Sequence, residues 1–409
     1  MMHDSEPCGL RAADSPQTVE KNGSSPGHNP LRILLLLPTI SLQGEGGPVT
    51  HTKELLGNLA RKADVDLISA YTKIPKMPIV FILANELLGL VRGSLRILAH
   101  RPDVIYSRGS QVIIGTILAG LFRLPYVIEV NGIGTDEAKI VKSRGLYYHL
   151  RLWKHRFHGR LASTYVDRIV AVTPGIKQVF EDEWHVPPER ITVIENGANT
   201  DLFHPMDRAV AESTIGLPPA SARVCFVGKF APWQGIEYLI EAAPVVLAAC
   251  PGTQFVVVGD GPMKKAWIDR VKALGVGDRF IFPGLVPYAR IPLYLNAADL
   301  CVAPFTAMRN ARMGLSALKV YEYLACGRPV VASRVAGIEE LLERSGGGRV
   351  AEPEEPGSLA SSIVALIGDP AARERMGARG REYVERHHSW CSVADQVIGV
   401  CRQSMAEAT

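Results

Sequence analysis

The densest chemical signal in the chain is Lys319-Val320-Tyr321-Glu322-Tyr323-Leu324-Ala325-Cys326-Gly327-Arg328-Pro329-Val330-Val331-Ala332-Ser333. It reads as a short helix, a glycine stop and a buried strand that begins at Pro329. Lys319 and Glu322 are three residues apart, so they share one helix face. A carboxylate accepts both hydroxyls of a ribose, and a neighbouring ammonium suits a diphosphate. An intrahelical ion pair on a solvated face fits the same spacing. The residue types alone do not choose between the two.

Three other segments have the form of a strand running into glycine. Phe226-Val227-Gly228-Lys229 leads through Gln234-Gly235 into a helix and puts the Lys229 ammonium at a strand end, a place for a phosphate partner or simply for a solvated lysine. Val258-Gly259-Asp260-Gly261-Pro262 suits either backbone close to a ligand or a turn in which Asp260 satisfies local N–H groups. Near the start, Gly44-Glu45-Gly46-Gly47-Pro48 precedes a helical pattern. Its glycines either let N–H groups approach an anion at a helix N-terminus or form a plain flexible loop. It is neither a Walker loop nor a GxGxxG fingerprint.

The elements that must hold these residues repeat one grammar. Strands are expected at Ile33–Leu37, Val65–Ser69, Val104–Tyr106, Val127–Val130, Ile169–Val172 and Thr192–Ile194. A second set is expected at Val224–Val227, Phe255–Val258, Phe280–Phe282, Leu300–Ala303, Val330–Ala332 and Gly348–Val350. Continuous apolar character marks strands buried on both faces, and the helical patterns between them imply right-handed crossovers. The fold class is therefore α/β, with two Rossmann-like, doubly wound parallel-sheet domains facing across a cleft. Ligand-binding residues are expected in loops just after strands. The 409-residue length suits two domains. Asp201–Ala222, with Pro205 and Gly216-Leu217-Pro218-Pro219, is the expected linker.

Composition narrows the class. Hydrophobic residues are 47% and charged residues 21%, a globular profile. The seven cysteines show no CxxC spacing, so neither a zinc site nor a redox pair is signalled, and a reducing compartment is expected. Residues 1–30 are polar and read as a disordered tail without a secretory signal. No apolar run reaches the roughly twenty residues of a membrane span. From Lys139 to Arg160 there is no acidic residue but seven Lys or Arg, interleaved with Tyr147, Tyr148, Trp153 and Phe157. That mix fits an anionic membrane surface or a lipid-phosphate acceptor, and equally a solvated helix with its aromatics inward. No nucleic-acid motif accompanies it. The expected location is the cytoplasm, peripheral at the inner face of the membrane.

The sequence resembles the retaining GT-B glycosyltransferases, in the large bacterial mannosyl- and glucosyltransferase group called family four, group one. The resemblance runs from about Leu31 to the C-terminus. It is carried by Gly46-Gly47, Val172-Thr173-Pro174, Glu195-Asn196-Gly197-Ala198-Asn199, Phe203-His204-Pro205, Val227-Gly228-Lys229, Val258-Gly259-Asp260-Gly261-Pro262 and the Glu322 block. It implies an N-terminal acceptor domain over residues 31–205 and a donor domain over 206–386, with a last helix, 387–409, crossing back. By resemblance, Glu322 holds the nucleotide ribose, and Lys229 contacts the diphosphate. Gly46 and Gly47 close over the diphosphate, and Gly284 lies near the base. Gly259, Gly314, Ala317 and Leu318 also line the donor site. The donor is an NDP-sugar, UDP- or GDP-linked, that acts as substrate. No cofactor or metal is implied, and the acceptor is a hydroxyl of a glycan or a lipid-linked molecule in surface polysaccharide or glycolipid assembly.

Four departures accompany the resemblance. Gly314 stands eight positions before Glu322, where the family has a first glutamate. Gln234 replaces a lysine, Asn131 a histidine and Asn199 an aspartate. Asn131 can still bond a sugar hydroxyl, and Lys319 is the candidate for the missing positive charge, with Arg309 and Arg312 as others. The substitutions leave a catalytically silent GT-B scaffold as the alternative reading. The order of the markers argues against a nucleotide-sugar epimerase.

Overall fold

The computed structural model describes residues 30–37, 46–69, 79–109, 112–133, 146–307 and 312–408. The polar N-terminal tail, most of the loop before Gly46, the basic residues Lys139, Lys142 and Arg144, and Arg309 lie outside the described residues.

Two six-stranded parallel sheets form the frame. The first contains β1 (Arg32–Leu37), β2 (Asp64–Ser69), β3 (Val104–Arg108), β4 (Tyr126–Val130), β5 (Arg168–Ala171) and β6 (Ile191–Val193), in the order β2-β1-β3-β4-β5-β6. The second contains β7 (Ala222–Val227), β8 (Thr253–Val258), β9 (Phe280–Gly284), β10 (Leu300–Ala303), β11 (Val330–Ser333) and β12 (Gly348–Ala351), in the order β12-β11-β10-β7-β8-β9. The central strands are buried because helices cover both faces of each sheet, the condition under which parallel sheets occur, whereas the edge strands β2, β6, β9 and β12 are only partly buried.

In the first domain α1 (Gly47–Lys62) covers one face, while α2 (Ile79–His100), α3 (Val112–Phe122), α4 (Leu146–Tyr165) and α5 (Pro174–Trp184) cover the other. The second domain begins with α6 (Arg208–Ile215) and adds α7 (Ile236–Ala249), α8 (Lys264–Ala273), α9 (Ile291–Asn296), α10 (Leu318–Ala325), α11 (Ile338–Ser345), α12 (Pro356–Ile367) and α13 (Pro370–His387). The last helix, α14 (Trp390–Ala408), lies beside α1 on the first sheet, where Trp390, Val393, Val397 and Cys401 join the core of β1 and β3. The chain thus crosses between domains twice, and an isolated bridge between Ala198 and Ser389 ties the two crossings together.

One expectation is corrected. The segment Asp201–Ala222 is not an open linker. Phe203 and Ala211 are fully buried, and Asp207 caps α6 by accepting from the Val210 N–H at 3.0 Å. Arg208 donates to both oxygens of Asp299 at 2.8 Å, so the segment belongs to the second domain. Its Pro and Gly content reads as a linker because α6 is short and turns inward only one fully buried residue.

Candidate functional site

The glycines at the ends of β7, β8 and β9 converge. Gly228 N–H donates to Val258 O at 3.0 Å, and Gly259 N–H to Gly284 O at 2.9 Å. A Cβ on Gly259 would lie 1.9 Å from Gly228 O, and one on Gly228 would lie 2.4 Å from Lys319 Nζ. A larger residue at Gly259 would have to move the backbone of the neighbouring strand end, and one at Gly228 would displace the Lys319 ammonium. Lys229 follows directly, exposed and with no side-chain partner among the described residues.

Helix α10 brings the second set of groups to this edge. Its Tyr323 hydroxyl accepts from Val227 N–H at 2.8 Å, fixing the helix against the end of β7. Lys319 Nζ lies 3.9 Å from the centre of the Phe226 ring and donates to Gln234 Oε1 at 2.6 Å. Gln234 therefore brings no charge of its own, but it holds the Lys319 ammonium close to its own position and keeps its amide N–H groups for another acceptor. Burial pushes Lys319 down to about 7, against the pull of Glu322. Burial likewise pushes Glu322 up to about 7, with the Tyr288 hydroxyl and Lys319 opposing and Glu54 adding to the shift. Lys319 and Glu322 close no direct ion pair. Glu322 is 7% exposed, an acceptor with few donors of its own.

The first domain supplies the facing wall. Helices α1 and α10 begin without a side-chain cap, at Gly46 and Ala317 respectively. The two N-termini face each other: a Cβ on Gly47 would lie 3.7 Å from Leu318 Cδ1. Both dipoles thus point their positive ends at one place. Glu54 of α1 faces Glu322 closely enough to raise its pKa, and its carboxylate accepts from Asn199 Nδ2 at 3.1 Å on both oxygens.

The stretch before α10 is clasped by the first domain. Asn196 Nδ2 donates to Ser316 O at 2.6 Å, Ile133 N–H approaches Met313 Sδ at 3.2 Å, and Thr173 Oγ1 donates to Met313 O. Gly314, in this stretch, has φ +66°, the left-handed region. The missing glutamate is therefore accompanied by a backbone that disfavours one. Arg312 pairs with Glu183, so its charge is engaged away from Lys319.

Sequence reasoning singled out Asn131 but not what surrounds it. Asn131 sits exposed just after β4, with its amide between Glu129 and Arg108. The buried Glu129 accepts from Tyr106 Oη at 2.7 Å, Arg108 Nε at 2.9 Å and Asn131 Nδ2 at 2.6 Å, with His51 Nε2 at 3.0 Å. Burial opposes its ionisation, but His51, Arg108 and Tyr106 outweigh it and hold the carboxyl well below the usual range. The available signal was a charged residue at or next to the end of each of two mostly apolar strands, Val104-Ile105-Tyr106-Ser107-Arg108 and Tyr126-Val127-Ile128-Glu129-Val130. A cavity of about 510 Å³ opens elsewhere, at the domain crossing, lined by Pro174, Glu195, Arg344, Tyr383 and His388 among others.

The outer face of the first domain carries a further feature. Leu87, Val91, Leu95 and Leu98 are exposed along one stripe of α2, Ile117 and Leu121 on α3, and the stacked pair Trp153 and Phe157 on α4. No helix among the described residues is long and apolar enough to cross a membrane.

Comparison with known proteins bears on all of these features. The family model for glycosyl transferases group 1 matches residues 221–369, and that for glycosyltransferase family 4 matches residues 45–202. The chain is 32% identical over 251 residues to the D-inositol 3-phosphate glycosyltransferase of Acidothermus cellulolyticus, covering 59% of this chain and 54% of that one. It spans about half the length of the first curated relatives it matches. Among solved structures, sucrose-phosphate synthase from Thermosynechococcus elongatus superposes with a TM-score of 0.71 at 21% identity, over 92% of this chain and 100% of that one. The Anabaena protein HepE in complex with UDP gives 0.70 at 20% identity, over 91% and 100%. These likenesses establish the GT-B fold.

Proposed function

Because the chain belongs to the group 1, family 4 glycosyltransferases, we propose that it transfers a sugar, with retention of configuration, from an NDP-sugar to a hydroxyl of a glycan or lipid-linked acceptor. The observation that carries this reading is Glu322. It is a buried, under-satisfied carboxylate one helical turn from Lys319, on the helix whose uncapped N-terminus meets that of α1. Two ribose hydroxyls are the donors it lacks. Lys319, Lys229, the Gln234 amide and the starts of α1 and α10 form a positive wall for a diphosphate. That wall gains most when charge develops on the departing nucleotide. The UDP in the HepE structure supports a nucleotide ligand for this fold.

The direct test is calorimetric titration with UDP and GDP. Glu322→Ala should weaken the bound nucleotide by about 100-fold, the loss of two hydrogen bonds to a charged acceptor; unchanged affinity refutes the ribose role. Incubation with UDP- and GDP-sugars and extract-derived acceptors should release nucleotide diphosphate. Nucleotide binding without any release would favour the silent-scaffold alternative.

The acceptor is read as presented at an anionic membrane surface. Support comes from the apolar stripes on α2, α3 and α4, whose segments 87–101, 112–124 and 146–165 contain no acidic residue and include Arg92, Arg96, Arg123, Arg156 and Arg160. The protein should float with vesicles of phosphatidylglycerol and phosphatidylcholine at low salt but not with phosphatidylcholine alone. Equal partition to both, or to neither, removes the membrane from the reading.

A further inference from the structure

The cavity of about 510 Å³ at the domain crossing holds three polar groups that the donor site does not use: Glu195, His388 and Arg344. Glu195, just after β6, and His388, just after α13, lie on the two crossing segments, and their side chains are 10% and 9% exposed. The segments are clamped together. Ala198 N–H donates to His388 O at 2.8 Å, and Trp390 N–H donates to Ala198 O at 3.1 Å. The rings of Tyr321 and Tyr383 pack against His388 at 4.8 and 5.4 Å between centres, which fixes the plane of the imidazole. His388 Nδ1 lies 3.1 Å from Asn196 O. A carbonyl only accepts, so Nδ1 carries the proton. Burial holds His388 down to about 4, with His387 and Arg344 adding and the Asn196 carbonyl opposing. At neutral pH its Nε2 is therefore a bare lone pair. That lone pair faces Glu195 Oε2 across 3.8 Å, one acceptor opposite another.

Among the described residues no donor hydrogen-bonds the Glu195 carboxylate, and burial raises its pKa against the pull of Arg344. Arg344, near the end of α11, is exposed on the same cavity and makes no ion pair or side-chain hydrogen bond among the described residues. The cavity thus has a buried end that lacks donors and a rim that lacks an acceptor. Ser392 and Gln396 of α14 close another side with neutral polar groups. We propose that this cavity binds a small zwitterion, with a primary ammonium between Glu195 and His388 and a phosphate or carboxylate held by Arg344. An ammonium brings several N–H donors and the charge that answers Glu195, and a guanidinium matches an oxyanion. A hydroxyl would leave the Glu195 charge unanswered. No third His, Cys, Asp or Glu among the described residues joins the pair to make a metal site. The volume lies within the roughly 300–1,000 Å³ of small-molecule pockets. The proposal does not rest on the nucleotide-sugar reading, because none of its three charged or titratable groups belongs to the donor site.

The experiment is calorimetric titration of the full chain with phosphoethanolamine and β-alanine, which differ in the anionic end, and with ethanolamine and inorganic phosphate, which carry one end each. At least one zwitterion should bind with a Kd of about 1 mM or tighter, and about 10-fold tighter than either single-ended probe. Either order of the two zwitterions supports the site and names its anionic end. Glu195→Gln keeps the shape and removes the charge, so it should weaken the zwitterion by about 10-fold and leave inorganic phosphate unchanged. Arg344→Met should weaken the zwitterion and phosphate and leave ethanolamine unchanged. Each variant thus deletes recognition of one end. Arg344 is exposed, so its variant carries the test if thermal unfolding shows Glu195→Gln to be misfolded. Binding of no probe means that Glu195 and His388 answer each other by sharing a proton, and overturns the proposal. Ethanolamine binding as tightly as the zwitterions overturns it too, since the site would then take a plain cation. Equal losses for every probe in both variants mark a structural role and have the same consequence.

Discussion

Two buried carboxylates, Glu129 near the end of β4 and Glu322 on α10, are shifted in opposite directions although burial alone raises both. Glu129 is 2% exposed and Glu322 7%, so solvent access does not separate them. Their partners do. Glu129 receives three hydrogen bonds and has His51 alongside, so its charged form is fully answered within the protein. Glu322 has the Tyr288 hydroxyl and a lysine that closes no ion pair with it, and burial pushes it up to about 7. A satisfied buried charge holds a fold together. An unsatisfied one marks where a ligand's own donors complete the set.

Stability should separate the two most sharply. Removing one partner from a buried, hydrogen-bonded charge cluster costs about 3–5 kcal/mol. Glu129→Ala should lower stability by that amount in urea unfolding, because Tyr106, Arg108 and Asn131 would lose the buried acceptor they share. At pH 4.5, where Glu322 is protonated, Glu322→Gln should change it by less than about 1 kcal/mol in the ligand-free protein, since a neutral amide suits that site no worse than the acid. Equal losses at the two positions would break the distinction.

The same contrast predicts opposite pH dependences. The Glu322 pKa is about 7 in the folded chain against an ordinary 4.5. Its contribution to stability is therefore fully present below pH 4.5 and lost as pH rises through 7. Glu129 is depressed, so its contribution is present above the ordinary value of 4.5 and lost as pH falls through its folded pKa. Relative to Glu322→Gln, the wild-type protein should lose about 1–3 kcal/mol between pH 4.5 and 7.5. Urea midpoints of both proteins across that range measure it. Saturating nucleotide should flatten the difference, because ribose hydroxyls stabilise the carboxylate. A flat difference without ligand would place Glu322 among satisfied charges after all.

The sequence shows these two regions unequally, for a physical reason. The central strands are the most legible because each is a short, mostly apolar run that a parallel sheet buries on both faces. Lys319 and Glu322 are legible because both lie on one helical turn, and chain spacing equals spatial spacing there. His51, Arg108 and Glu129 come from α1, β3 and β4, and only the sheet order brings them together. Likewise, nothing local distinguishes Arg312, engaged by Glu183, from Lys319, turned toward Gln234. The resemblance located Asn131 and Gly314 as departures. Their meaning came from geometry: a clamped amide in one case and a left-handed backbone in the other.

Gly314 gives the smallest expected effect and bears on whether its departure is a matter of side chain or of backbone. Placing the family's acid there as Gly314→Glu would put a residue with a Cβ where φ is +66°, with the new Cβ 3.2 Å from Ala336 O. The left-handed region costs a non-glycine residue about 1–2 kcal/mol. Gly314→Asn, which tolerates that region better, should cost less. The urea midpoint should therefore fall more for Glu than for Asn, and neither variant should tighten UDP-glucose relative to UDP in calorimetry. A Gly314→Glu variant that keeps its stability and gains sugar-dependent affinity would mean that the loop before α10 rearranges readily. The departure at 314 would then be one of side chain. With the expected result it is one of backbone, held by the left-handed conformation before α10.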